Sequence, residues 1–240
     1  MPLQNRVTPM GDIVTETEHG LFTGNRGSIH DPRTRTLLNR RWAGRAWLIC
    51  TLRWRGIRRP VMGVGSWTEL FFLDEATGLA AGHRPCFLCR RAAARAFQGG
   101  FPTRDHAARP KAPDIDRVLH AERLDGRRKR LHDLTSPAAD LPDGAMIFQD
   151  GGPHLILRGM ARRWSPRGYG APTALLDGAR LITPPSTVTV LRAGYEARLH
   201  ASAFSSSDSD RTGQGCGPLS SLSARDGALR RCGGATMMEC

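Results

Sequence analysis

At 240 residues the chain has the length of one medium domain or two small ones, enough to bury a core. Hydrophobic residues make up 40% and charged residues 24%, which excludes wholesale disorder, and no apolar run approaches the roughly 18 residues of a membrane span. A formal charge of +13 suggests a polyanionic partner, DNA or RNA. That charge is almost all arginine: only Lys111 and Lys129 are lysines. Arginine, alanine, glycine and proline are also the residues that GC-rich codons favour, so the excess is partly a genome signature. The opening MPLQNRVTPMGD has no apolar h-region, so no secretory signal is read there and the cytoplasm is the expected compartment.

In chain order, the first forty residues are turn-rich, with short strands at Asp12–Thr15 and Gly20–Thr23. Arg45–Arg55 (RAWLICTLRWR) is a β-type run broken by Gly56, and Trp67–Leu73 is a second. Asp74 and Glu75 open a short helix over Glu75–Ala81, where acids suit the helix dipole, and Gly82 is placed to stop it. Arg90–Gln98 and Asp114–Leu124 have helical spacing, separated by a Pro- and Arg-bearing connector. Beyond the basic run Arg127–Arg130 the character turns β again, with strands expected at Ala145–Gln149, His154–Arg158, Arg180–Thr183 and Thr187–Leu191 in a small antiparallel sheet. Residues 205–240 contain no aromatic side chain, are rich in Ser, Gly and Asp, and read as a disordered tail.

The fold expected is therefore α+β. It comprises a β-ribbon-like module with short helices (1–104), a helical connector (105–140), a small antiparallel β unit (141–204) and the tail (205–240).

Six cysteines lie at 50, 86, 89, 216, 232 and 240, too scattered for a compact disulfide framework. Cys86 and Cys89 form a C-x-x-C, which aims two sulfurs at one ion, and zinc prefers such soft ligands in a tetrahedral set. His83 lies three residues upstream and Cys50 sits in the neighbouring strand, so Cys86, Cys89, His83 and Cys50 are the candidate ligands. Two other readings stay open. Cys89 precedes a helix and has Arg84, Arg90 and Arg91 nearby, as a redox pair requires, although no βαβ pattern surrounds it. The pair can equally be inert free thiols, and Cys50 among apolar residues can be a buried one.

The segment Thr68–Arg90, TELFFLDEATGLAAGHRPCFLCR, resembles the end of the N-terminal zinc domain of the Ada DNA-repair protein. That family ends in an apolar strand, an "EALAAG" helix and an "RPCKRC" knuckle, matched here by Leu70–Phe72, Gly78–Gly82 and Arg84-Pro85-Cys86-x-x-Cys89. Upstream, Gly56–Met62 can be laid on the family's first knuckle, G-V-x-C-R-P-x-C. The resemblance implies a zinc ribbon that reads DNA. It also marks a departure, because Arg58 and Met62 stand where the family has its first two cysteines, the first of which accepts a methyl group from a DNA phosphotriester. Arginine neither binds zinc nor accepts a methyl group, so methyl-transfer repair is not expected.

Arginines interleave with indoles at Arg40-Arg41-Trp42, Arg45-Ala46-Trp47 and Arg53-Trp54-Arg55. Nucleic-acid surfaces use guanidinium groups on phosphates and indoles against bases, which makes Arg40, Arg41, Arg53, Arg55, Arg58 and Arg59 candidate phosphate contacts. The same pattern also suits a strand with a core Trp face and a solvated Arg face. No nucleophile elbow or phosphate-binding glycine loop is present. The function expected is a nucleic-acid-binding protein with an Ada-like, zinc-holding ribbon; the alternative is an enzyme with a pocket between the two β units.

Overall fold

The computed structural model describes residues 2–56, 60–103 and 109–205. All of them fall within one compact unit spanning residues 1–207. Apart from Ser205, the tail read at 205–240, with its three cysteines, lies outside the described residues, as do Arg58 and Arg59.

The first half builds a six-stranded sheet. Its strands are β1 (Gln4–Val7), β2 (Ile13–Thr15) and β3 (Phe22–Asn25), followed, after a two-stranded excursion β4 (His30–Asp31) and β5 (Thr36–Leu37), by β6 (Leu48–Cys50), β7 (Leu70–Phe72) and, past a helix, β8 (Arg84–Pro85). Their order is β2-β1-β7-β3-β6-β8, with β1/β7 and β6/β8 parallel and the other pairs antiparallel. Of the long run Arg45–Arg55 only Leu48–Cys50 is strand. Gly24 on β3 is required by packing, since a Cβ there would sit 2.3 Å from the Phe72 ring.

Helix α1 (Glu75–Ala80) follows β7, and its first turn is closed by the Asp74 carboxylate, which accepts from the Thr77 N–H at 2.9 Å. Every residue of α1 is buried. Gly82 ends it at φ +88, where a Cβ would meet the Arg123 side chain at 2.6 Å. Helices α2 (Arg91–Gly100) and α3 (Ala112–Arg123) bury Phe97 and, at helical spacing, Ile115 and Leu119, each such side chain contributing roughly 1.5–3 kcal/mol.

After the short ribbon β9 (Leu124–Asp125) and β10 (Arg128–Lys129), the chain forms β11 (Met146–Gln149), β12 (Gly152–Leu157), β13 (Met160–Ser165), β14 (Gly168–Thr173) and β15 (Arg180–Leu181). These make the antiparallel five-stranded sheet β14-β13-β12-β11-β15. Strands β13 and β14 were not expected: β13 has a single fully buried position beside two arginines, and β14 carries two glycines and a proline, so neither shows a clear apolar alternation.

The segment Thr187–Leu191, expected as a strand, lies within helix α4 (Pro185–Arg192). Its β-branched residues favour strand in isolation, but Pro185 opens a helix and the Glu122 carboxylate accepts from the Ser186 N–H and hydroxyl at 3.1 and 2.6 Å. Val188, Val190 and Leu191 are then buried in an apolar cluster that also contains Val7, Phe72, Phe97 and Ile147, so one core runs beneath both sheets.

Two buried acids join the halves. Asp74 also accepts from the Tyr169 hydroxyl at 2.8 Å and the His200 N–H at 3.1 Å. Glu75 accepts from the Tyr195 hydroxyl at 2.5 Å, pairs with Arg90 at 2.6 Å and takes the Arg198 N–H at 3.1 Å. The acids read as dipole partners of a short helix are thus buried anchors for the end of the described chain. The seam carries a cavity of about 20 Å³ lined by Phe71 and Trp164, far too small for a substrate pocket. No described helix is long and apolar enough to cross a membrane.

Candidate metal centre

The parallel pair β6/β8 places Leu48 opposite Arg84 and Ile49 opposite Pro85. The ladder continues one step past β8: the Cys86 N–H donates to the Ile49 carbonyl at 3.0 Å, which brings Cys86 alongside Cys50. The chain then turns. The Arg90 N–H donates to the Cys86 carbonyl at 3.0 Å and the Leu88 N–H to the Cys86 sulfur at 3.4 Å, so the C-x-x-C curls around its first thiol and presents Cys89 from the loop before α2.

The knuckle is anchored from outside. Arg84, the arginine of the Arg-Pro-Cys motif, makes two 2.7 Å hydrogen bonds to the carboxylate of Asp116 on α3, and both side chains are buried. A bidentate pair of this kind fixes orientation as well as position.

The result is a group of three sulfurs, on Cys50, Cys86 and Cys89, all within 4.8 Å of one another. A tetrahedral ion with metal–sulfur bonds of about 2.3 Å sets its sulfurs about 3.8 Å apart, so the donor set fits a thiophilic cation such as zinc. The three are free thiols. The Cys86 thiol is held below the usual cysteine value, chiefly by hydrogen bonds from the Cys50 and Cys89 thiols and also by the backbone N–H groups of Cys89 and Leu88. Cys50 is pushed up by the same thiol contacts and by burial. One sulfur of the group is therefore held as thiolate and another as its proton donor, a poised arrangement that a cation would replace by taking the proton's place.

A cavity of about 360 Å³ opens on all three sulfurs, walled by Leu52, Trp54, Trp67 and Leu88. Glu69 also borders it, but its carboxylate already accepts from the Met62 N–H and the Ser66 hydroxyl, each at 2.7 Å. Among the described residues no fourth His, Cys, Asp or Glu joins the group.

His83, the expected ligand nearest in sequence, is not brought to the thiols. It is fully buried between Phe72 and Trp47, with Nε2 against Arg26 Nε at 3.1 Å and Nδ1 against the Gly78 carbonyl at 3.3 Å. Both ring nitrogens are occupied, and burial, then Arg26 and Arg123, hold its pKa well below the usual histidine value. It is a neutral core histidine.

The candidate phosphate contacts divide. Arg41 is half-buried, bonds the Leu38 carbonyl and borders a second, cationic cavity. Arg55 lies over the Trp54 ring at 5.3 Å, beside the thiol cavity. Arg40 and Arg53 are exposed. Trp47, just before β6, is buried, whereas Trp42 and Trp54 are half-buried, so one indole of the Arg/Trp pattern belongs to the core. His120 bonds Arg123 while Glu122 bonds Ser186, so these two face different sides of α3 as their spacing implies.

No protein-family model, curated protein or solved structure matches this chain.

Proposed function

We propose that this protein holds a zinc ion on Cys50, Cys86 and Cys89 and binds nucleic acid through the arginine-bearing loops nearby, as an Ada-like ribbon without the methyl-acceptor thiolate. The observation that carries the metal is the convergence of three sulfurs from two separate parts of the chain. Support for the ribbon comes from Val61, which lies in the segment aligned with the family's first knuckle and lines the same cavity as the thiols. Support for nucleic acid comes from the charge of +13 and from Arg55 stacked over Trp54 at the edge of that cavity.

The test has two arms. Purified protein is analysed for zinc with and without Cys86→Ser; about one equivalent in the parent and far less in the variant is expected, and a folded parent that takes up no zinc overturns the centre. Duplex DNA and structured RNA are then titrated across a salt series. Affinity should fall steeply with salt, and Arg53→Ala with Arg55→Ala should lower the slope by about 1 per lost contact. Absence of binding at low salt overturns the nucleic-acid reading.

One observation favours a second reading, an enzyme: the thiol set has three members and faces a cavity rather than a closed fourth ligand. Zinc on three protein ligands keeps a position for an exogenous ligand and acts there as a Lewis acid. The visible spectrum of the cobalt-substituted protein separates the two readings. Bands that shift on adding azide or a small thiol indicate an open position, and bands that do not move indicate a closed structural site.

A further inference from the structure

On the other side of Trp47 the chain buries cations with no anion to match them. Arg26 and Arg123 are each 1% exposed, and each guanidinium lies 3.8 Å from the Trp47 ring centroid. Their hydrogen bonds go to neutral groups. Arg26 uses His83 and the Gly11 carbonyl, at 3.1 and 3.0 Å, while Arg123 uses the Gly82 and Arg45 carbonyls and His120, at 2.9, 2.8 and 2.8 Å. Two buried donor nitrogens, Nη2 of Arg26 and Nε of Arg123, have no partner. Lys129 points its ammonium at the Ala80 carbonyl. Among the described residues none of the three makes an ion pair with a carboxylate.

Such an arrangement is costly. A buried charge left without a counter-charge is penalised by several kcal/mol, and native proteins ordinarily pair it. Elsewhere this chain does so: Arg84 has Asp116 and Arg90 has Glu75. Around Arg26, Arg123 and Lys129 the nearby acids are committed or outnumbered. Asp116 belongs to Arg84, Glu122 holds the start of α4, and Asp12 is the single carboxylate on the cavity wall.

These side chains border a cavity of about 250 Å³, whose mouth adds Arg41, Arg127 and Trp42. Trp42 is half-buried, its ring centroid 5.9 Å from that of Trp47, so an indole flanks the charged wall. We propose that this cavity is a binding site for a phosphomonoester, with Arg26, Arg123 and Lys129 facing the phosphate and Trp42 against the organic group that carries it. A dianionic phosphate supplies the charge the wall lacks, and guanidinium forks match its oxygens. The volume lies just below that of drug-sized pockets, room for a phosphate and a small attached group.

Electrostatics within the cavity agree. Burial, then Arg123 and Arg26, lower Lys129 to a pKa of about 7. Burial likewise lowers both arginines, though a guanidinium still keeps its proton. An anion among these groups relieves all of them at once.

Two sources share this chemistry, a free phosphorylated small molecule and the 5′-terminal phosphate of a nucleic-acid strand. The proposal is independent of the thiol centre. The full-length protein is titrated at low salt with inorganic phosphate and with 5′-AMP, read by tryptophan fluorescence and by melting temperature. Saturable binding is expected. Arg26 and Arg123 pack on Trp47 and their loss risks the fold, so the diagnostic variants are Lys129→Met and the surface pair Arg41→Ala with Arg127→Ala. Each should weaken binding at least tenfold, while Arg95→Ala, an exposed arginine of α2, should not.

A 5′-phosphorylated oligonucleotide is compared with its 5′-hydroxyl counterpart as competitor of 5′-AMP. Preference for the phosphorylated strand identifies a strand end as the source, and competition by neither identifies a free ester. No saturable binding of phosphate or 5′-AMP overturns the proposal, as does equal weakening by Arg95→Ala, which would mean diffuse charge. Repeating the titration on Cys86→Ser keeps the outcome separate from the metal centre, since this variant should retain 5′-AMP binding.

Discussion

Cys50 and Cys86 are neighbours because of one backbone bond: the Cys86 N–H reaches the carbonyl of Ile49, the residue before Cys50, at 3.0 Å. The third donor of the thiol group is thus a product of strand register, and a slip of β8 by one residue would turn Cys86 away from Cys50.

Loss of either partner should therefore be severe for the metal. Cys50→Ser and Cys86→Ser are expected to lower zinc affinity by more than about 100-fold, beyond the effect of removing an outer partner. Asp116→Asn, which loosens Arg84 without touching a sulfur, should cost about 10-fold. Competition with a chromophoric chelator measures all three, and an Asp116→Asn loss as large as that of Cys86→Ser would contradict the anchoring role.

In metal-stripped protein the thiols should differ in reactivity. Cys86, lowered by hydrogen bonds from its neighbours, ionises before Cys50, which is raised by donating to them. Brief iodoacetamide treatment at pH 6 followed by peptide mass spectrometry should find the label on Cys86 before Cys50. The reverse order would refute the assignment.

Lys129 gives a pH dependence of stability with a definite sign. Its folded-state pKa of about 7 lies below the ordinary 10.5, so between these values the unfolded chain binds the additional proton. Stability should rise with pH across that window and be insensitive to this group below it. Burial is the main cause, reinforced by Arg123 and Arg26 and opposed by Glu122. Urea unfolding of the parent and of Lys129→Met from pH 6.5 to 10 should show the parent gaining on the variant as pH rises.

The joint between the halves should be sensitive to its acids. Asp74→Ala leaves the Tyr169 hydroxyl and the N–H groups of Thr77 and His200 without an acceptor inside the protein, and should cost about 3–5 kcal/mol. Tyr169→Phe removes one bond and should cost about 1–2 kcal/mol. Chemical denaturation checks both.

Gly82→Ala should damage the cationic cavity from a distance. At φ +88 an alanine is strained, and its Cβ would displace the Arg123 side chain it meets at 2.6 Å. A loss of about 1 kcal/mol or more in stability, with weaker 5′-AMP binding, is expected from melting and titration of the variant.

Local signals were readable and distant ones were not. Helix α1 was legible because Asp74 caps it and Gly82 stops it within a few residues. The C-x-x-C was legible for the same reason, and Cys50 entered as a candidate because it lay on a neighbouring strand. Helix α4 was misread because the partner that holds its first turn, Glu122, lies far upstream on α3. His83 looked like a ligand by spacing, yet its place between α1 and β8 turns it toward Trp47. Lys129 stood out only as part of the basic run Arg127–Arg130, and Arg26 and Arg123 carried no signal: an arginine among many becomes exceptional only when the fold closes over it.

The chain between Cys50 and Cys86 leaves the sheet, re-enters it as β7 and comes back once more as β8, and the centre sits at that last return. An ion shared by those sulfurs would tie off that excursion much as a crosslink does, and the entropy of tying it depends only weakly on its size. Doubling its length would add about 0.6 kcal/mol. Insertions beside the exposed Val64, clear of the cavity wall at Leu52, Trp54 and Val61, are therefore where this architecture can most readily vary while the knot itself stays unchanged.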